Sequence, residues 1–427
     1  MQITRRFFLK STGALAVYCA VSPFDVLAQN APVATAAESV KRGKTLVVIF
    51  LRGGADGLNL IVPYKDPAYY QLRRQLAIPL PGKENGAVDL DGFFALHPRM
   101  KSLAPLFASG SVVAAHAVGY GQNTRSHFEE QDVWETGVSG NTVNSDGWLN
   151  RHLATSEGRG PIRAISIGDK LPRILRGKAT AYAVHGISDL AFPQTLGDPT
   201  VVTAALEHAY QTDPNAHTDA ARDLLSQSSK ATLEGIKQLQ SVAKNEYKPS
   251  VEYPKTEIAR RLSEVARLIK YDMGLEVAEI DYDGWDTHQN QGNATQGNFG
   301  NLAQNLADAL AAFHADLGDR MNDVLVTTLS DFGRTAEENG TGGTDHGWAN
   351  CLLAMGGPVV KAGGGKARKV MGQWPGLGPE QLHEKRDLLH TTDFRDVLGE
   401  LVRVHLGNAN LEKVLPQHEF KPVGLIA

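Results

Sequence analysis

The chain has 427 residues, with 43 lysines and arginines against 47 aspartates and glutamates, a formal net charge of −4 and 42% hydrophobic residues. That length and apolar content suit a globular protein with a sizeable core, and the mild acidity speaks against nucleic acid as a partner. Of the two cysteines, Cys19 falls in a targeting segment, which leaves Cys351 without an intramolecular disulfide partner, so packing must supply the stability.

The N-terminus carries Arg5-Arg6 within TRRFFLK, followed by the apolar run Gly13–Val21 and the small-residue pattern Val26-Leu27-Ala28. This is the twin-arginine export pattern. It predicts a signal peptide over residues 1–28, a flexible lead-in over 29–44 and a mature protein that is periplasmic or secreted. The translocase is then a partner during export only. The apolar run is shorter than the roughly 20 residues that span a bilayer, and no other run is longer, so no stable membrane anchor is expected.

Thr45–Leu51 (TLVVIFL) is a continuous β-branched and apolar run, the pattern of a strand buried on both faces. It leads into Arg52-Gly53-Gly54-Ala55-Asp56. Pro98–Ser109 reads as a short amphipathic helix and Ser111–Val118 as a second buried strand. Thr124-Arg125-Ser126-His127 follows, ahead of a helix over Phe128–Thr136; Ser126 with Glu129 three residues on spells a capping box. Pro161–Gly168 suggests a third strand, and polar helices are expected across Asp198–Asn245. Thr256–Asp272 sets Ile258, Leu262, Val265, Leu268 and Ile269 on one helical face. Glu276–Asp281 is the next strand and runs to Asp286-Thr287-His288, and Phe299–Leu317 is again helical by period. Val324–Leu329 is a strand that delivers Asp331 and Arg334, then a glycine-rich turn and Asp345-His346. Asn350–Met355 and Ala367–Met371 are short strand candidates, and Thr391–Leu406 a closing helix. Strands alternating with helices call for an α/β fold with a mostly parallel central sheet and helices on both faces. Residues 45–427 are expected to form one domain with an insertion around 171–254.

Four places share one feature: an apolar strand ends, and metal-capable or nucleophilic groups follow. They are Asp56; Thr124, Arg125, Ser126 and His127; Asp286 and His288; and Asp331, Arg334 and His346. In a parallel sheet all such ends lie on one edge, where ligands bind. Each place taken alone is also an ordinary polar turn. Mixed Asp and His ligation suits zinc or manganese, while carboxylates alone lean to calcium or magnesium. Ser126 or Thr124 is the candidate nucleophile, and Arg125 or Arg334 the candidate clamp on an anion, since guanidinium offers a planar donor fork.

The motifs Gly53-Gly54-Ala55-Asp56-Gly57-Leu58-Asn59, Ala95-Leu96-His97-Pro98, Arg125-Ser126-His127-Phe128, Gly284-Trp285-Asp286-Thr287-His288, Ser330-Asp331-Phe332-Gly333-Arg334-Thr335 and Gly343-Thr344-Asp345-His346-Gly347 resemble a family of exported bacterial proteins, the domain of unknown function numbered 1501. That family is grouped with the alkaline phosphatases and sulfatases. The resemblance spans essentially the whole mature chain and implies an alkaline-phosphatase-like fold. It further implies that Asp56 holds one metal, that Asp286, His288 and His346 hold another, and that the nucleophile lies within Thr124–His127. Two departures stand out: many relatives carry Asp-His-Gly where this chain has Asp331-Phe332-Gly333, and Asp286 and His288 are spaced two apart instead of four. The formylglycine sulfatase signature is absent near Ser126, and no Gly-x-Ser-x-Gly elbow occurs. The expected function is a metal-dependent periplasmic hydrolase or transferase for phosphate or sulfate esters of a small molecule or glycan. The alternative is a non-catalytic envelope binding or assembly protein on a degraded phosphatase-like scaffold. A redox-cofactor protein is a third class, but nothing in the chain offers haem, iron–sulfur or dinucleotide ligation.

Overall fold

The computed structural model describes residues 43–140, 145–158, 160–187, 234–235, 237–359 and 369–426. The expected signal segment, the lead-in up to residue 42 and residues 188–233 of the expected insertion lie outside the described residues.

The strands are β1 (Thr45–Leu51), β2 (Ile61–Val62), β3 (Val88–Asp89), β4 (Ala95–Leu96), β5 (Val112–Gly119), β6 (Ala164–Ile167), β7 (Tyr182–Val184), β8 (Val277–Tyr282), β9 (Val324–Ser330), β10 (Asn350–Gly356), β11 (Val370–Met371) and β12 (Thr392–Asp393). The main sheet runs β11-β5-β10-β9-β1-β8-β6-β7, with β12 also on β5, and β2, β4 and β3 form a small antiparallel sheet. From β7 to β9 every pairing is parallel, and β10 alone runs against both of its neighbours.

The buried runs explain this arrangement. All seven residues of β1 are buried, and successive side chains point to opposite faces. Val47, Ile49 and Leu51 join the core that holds the helices Glu257–Lys270 and Asn298–Leu317. Leu46, Val48 and Phe50 join a second core, with the helices His127–Thr136, Trp148–Thr155 and Phe394–Glu400. A strand with apolar groups on both faces needs a helical layer on each side, and the expected α/β class is what the chain adopts.

Two readings are corrected. The expected closing helix Thr391–Leu406 is shorter: Asp393 caps it by accepting the Arg395 N–H at 2.9 Å, and after Glu400 the turn widens into a π segment, Leu401–His405. Ser126 does stand at the N-cap of its helix, but its side chain makes no cap bond, so the capping box with Glu129 does not form.

Candidate metal centre

The strands β1, β5, β8 and β9 all finish on one edge of the sheet, and β10 starts there, so the loops that carry the candidate residues converge. The strand ends are stitched together: Ser330 Oγ donates to Leu51 O at 2.8 Å and accepts the Ala55 N–H at 2.9 Å. Asn350 Nδ2, at the start of β10, donates to Ala55 O at 3.0 Å and Phe332 O at 2.7 Å. Gly53 (φ 113°) and Gly54 (φ 72°) let the chain after β1 pass where side chains could not; a Cβ would stand 2.6 Å from Asp286 N or from the Phe332 ring, respectively.

His127, Asp286 and His346 each offer a donor atom, all within 4.8 Å of one another, the one such group among the described residues. His346 Nε2 lies 3.3 Å from Asp286 Oδ1, and His127 Nε2 lies 3.5 Å from Asp286 Oδ2. His288 joins at the rim, its Nε2 being 3.0 Å from Asp286 Oδ1 and 2.9 Å from His346 Nε2.

The far nitrogen of each imidazole is tied to an oxygen. His127 Nδ1 donates to Asp331 Oδ2 at 2.6 Å, His288 Nδ1 to Asp345 Oδ1 at 2.9 Å and His346 Nδ1 to the Arg125 carbonyl at 2.8 Å. A carbonyl or an ionised carboxylate can only accept, so each Nδ1 carries a proton, which leaves Nε2 as the atom that faces the centre and can offer it a lone pair when the ring is neutral. Arg125 reaches its post through a left-handed backbone, φ 60°, a conformation uncommon outside glycine.

Electrostatics keep the carboxylates ionised. Burial opposes the charge on Asp286, but the hydrogen bond and charge of Arg334, with His288 and His127, outweigh it and hold the carboxyl below its ordinary range. For Asp331 burial is likewise outweighed, by hydrogen bonds from His127, Gln131 and the Gly53 N–H. The hydrogen bond to Asp331 raises His127 above the usual imidazole value against its burial, and burial lowers His346.

The expected residues divide into three groups. Asp286, His288 and His346 come together as the resemblance implied, and His127 completes the set. His127 is expected at this edge from the sequence, though not as a metal ligand. Asp331 stands one step back, with no exposed side-chain surface, and orients His127; it also accepts from Gln131 at 2.8 Å and from the Gly53 N–H at 3.1 Å. Asp56 does not join. Its fully buried carboxylate pairs with Arg73 and takes a 2.5 Å hydrogen bond from Gln291.

The expected anion clamps are engaged elsewhere. Arg334 donates to the Gly53, Gly54, Thr344 and Trp285 carbonyls and to Asp286. Arg125 is held by Asp387 at 2.7 Å and Glu384 at 2.6 Å. Of the two candidate hydroxyls, Thr124 donates to Glu130 at 3.0 Å, whereas Ser126 is free of a capping bond. Phe332 packs its ring 4.7 Å from the rings of both His127 and His346.

A family model described as "Protein of unknown function (DUF1501)" matches residues 43–407. No curated protein matches the chain. Among solved structures, a TAB5 alkaline phosphatase mutant with magnesium bound is similar at 11% identity and a TM-score of 0.33, over 74% of this chain and 92% of that one. The PsFucS1 sulfatase from Pseudoalteromonas sp. is similar at 12% identity and a TM-score of 0.31, over 77% of this chain and 64% of the other. The PH0037 protein from Pyrococcus horikoshii is similar at 13% and 0.28, over 74% and 86%. Likenesses this remote carry no inference about chemistry.

Proposed function

This chain belongs to the DUF1501 family, and from its site we propose a metal-dependent hydrolase or transferase of phosphate or sulfate esters, exported by the twin-arginine route to the periplasm. The observation that carries the reading is the convergence of three imidazole Nε2 atoms on the Asp286 carboxylate. His288 Nε2 and His346 Nε2 face each other at 2.9 Å, and His127 Nε2 is buried without a hydrogen-bond partner. Three ring nitrogens facing one carboxylate need positive charge among them, which a bound cation supplies when the rings are neutral.

A divalent cation suits His127, Asp286 and His346. Ligands about 2.0–2.2 Å from a tetrahedral ion lie about 3.3–3.5 Å from one another; His346 Nε2 stands 3.3 Å from Asp286 Oδ1 and His127 Nε2 3.5 Å from Asp286 Oδ2, while His288 Nε2, 2.9 and 3.0 Å from its neighbours, stands closer than that spacing. Histidine ligands that donate their other N–H to a carboxylate or carbonyl are the usual arrangement. The mixed imidazole and carboxylate donors favour zinc or manganese over calcium or magnesium. His127, Asp286 and His346 would hold the ion, with His288 beside them. Once bound, it would act as a Lewis acid on a phosphoryl or sulfuryl oxygen.

The chain's own groups have separate roles in this reading. Asp331, Asp345 and the Arg125 carbonyl fix the imidazole tautomers. Arg334 orients Asp286. Ser126 is the preferred nucleophile over Thr124, because its hydroxyl is not drawn to Glu130 and it sits at a helix N-terminus, where backbone N–H groups favour an anion. The test is elemental analysis of the purified protein with a screen over aryl phosphates and sulfates. One equivalent of metal and turnover that His346→Ala abolishes are expected. Turnover by His346→Ala as fast as by the wild type overturns the assignment, and metal far below one equivalent favours a non-catalytic binding protein.

A further inference from the structure

We propose that the centre is built for an ester whose tetrahedral group carries a single negative charge, a phosphodiester or a sulfate monoester, and not for the dianion of a phosphate monoester. The inference rests on the metal-centre reading above and adds the charge of its substrate.

The charges in contact with the imidazoles decide it. Asp286, Asp331 and Asp345 are there, against the single guanidinium of Arg334. With neutral imidazoles a divalent cation brings this inner set to neutrality and leaves no positive surplus. A doubly charged phosphoryl group is ordinarily gripped by guanidinium forks, and the candidates are taken. Arg334 is buried at 2% exposure and Arg125 is neutralised by Asp387 and Glu384. Arg386, the third arginine touching the cluster, is 40% exposed, but it donates to the His346 carbonyl at 2.8 Å and to Asp387 at 3.3 Å, so its charge is offset where it stands. A dianion would instead meet Asp286 and Asp345, whose side chains are 46% and 52% exposed at the rim.

Removing one charge by a second ester bond removes that repulsion and adds organic surface. Phe128, next to His127, is 90% exposed and offers such surface an aromatic face. In hydrolysis, water adds across one P–O or S–O ester bond. Its oxygen ends on phosphorus or sulfur, one of its protons leaves with the alcohol, and the other goes to the product acid and then to solvent.

The experiment uses the full-length, metal-loaded protein with p-nitrophenyl phosphate, bis(p-nitrophenyl) phosphate and p-nitrophenyl sulfate, above the second phosphate ionisation at about pH 6. Calorimetry on the same preparation measures binding of diethyl phosphate and inorganic phosphate. After correction for intrinsic reactivity, kcat/KM for the diester or the sulfate is expected to exceed that for the monoester by about 100-fold, and the two arms tell phosphorus from sulfur. Asp345→Asn removes a charge but keeps an acceptor for His288 Nδ1, and it is expected to raise the monoester-to-diester ratio several-fold. Equal or faster turnover of the monoester, or inorganic phosphate bound about tenfold tighter than diethyl phosphate, overturns the proposal. An unchanged ratio in Asp345→Asn counts against it too. Protein carrying one equivalent of metal that neither binds diethyl phosphate nor cleaves a singly charged ester also overturns it. Protein that takes up no metal overturns the reading beneath it instead.

Discussion

Two aspartates follow two neighbouring strands of the same sheet, and each has met an arginine. Asp56, after β1, is buried beside Arg73, and neither side chain keeps any exposed surface. Asp286, after β8, holds Arg334 at 2.6 Å but remains 46% exposed, with its other oxygen turned to His127. The first carboxylate is closed, its charge matched inside the protein. The second is only steadied, and three imidazoles stand around it. A sheet edge therefore gathers acids without making each of them a ligand; depth and the company of nitrogen donors separate an ion pair from a coordination site.

The comparison is broken most severely through Arg73. Its removal in Arg73→Ala strands a buried carboxylate and also loses hydrogen bonds to the Thr335 and Ala336 carbonyls at 2.9 and 3.0 Å. Leaving one partner of a buried pair uncompensated costs about 3–5 kcal/mol, read as a fall in the denaturant midpoint or as loss of folded protein. Asp286→Asn, by contrast, leaves Arg334 its four backbone carbonyls and an amide oxygen in place of the carboxylate, so the loss is expected to be smaller, about 1.5–3 kcal/mol. Equal losses from the two substitutions would erase the distinction.

A smaller effect tests the metal side. Asp331→Asn keeps the shape behind His127 and removes the carboxylate that fixes its tautomer, so metal affinity is expected to fall about 10–100-fold while the fold is retained. Competition with a chelator measures it, and unchanged affinity would take Asp331 out of the account.

The gentlest test is acid. Burial pushes the His97 and His116 imidazoles down to about 4 from 6.5, with Arg99 adding to the effect at His97, and both rings sense the charge of Asp56. Between those values the unfolded chain binds protons that the native protein refuses. The contribution of these two rings to stability then falls as the pH drops from 6.5 toward 4, by up to about 1.4 kcal/mol per pH unit for each ring, and is flat above that window. Denaturant midpoints across the range check the slope, which His116→Phe is expected to reduce by one proton's worth.

Much of this architecture was legible from periodicity. β1, β8, β9 and the helix Glu257–Lys270 lie where their apolar patterns put them, and the gathering of Asp286, His288 and His346 follows from strand ends meeting on one edge. Partner choice was not legible. Arg73 is 17 residues from Asp56 and lies just past a short helix, where a lone arginine reads as a surface group. Asp331 was expected to touch metal because it directly follows a strand, but burial turned it toward His127. The two arginines expected to grip an anion are consumed by backbone carbonyls and acids, which no spacing rule reveals. His127 sits among hydroxyls and an arginine that offer rival chemistry in the sequence, and its place as the first residue of its helix, just after β5, is the one signal that sets it at the edge.

The reversed direction of β10 has a kinetic consequence. Asp331 and His346 ride on one loop whose two ends are pinned at the same edge, drawn together further by a bridge between Arg334 and His346. His127 and Asp286 hang from the ends of other strands. The entropy of bringing these anchors together is lost when the sheet assembles, so little remains to be ordered at loading. Uptake of the ion by the folded apoprotein is accordingly expected in a single fast phase limited by encounter, with no slow rearrangement behind it.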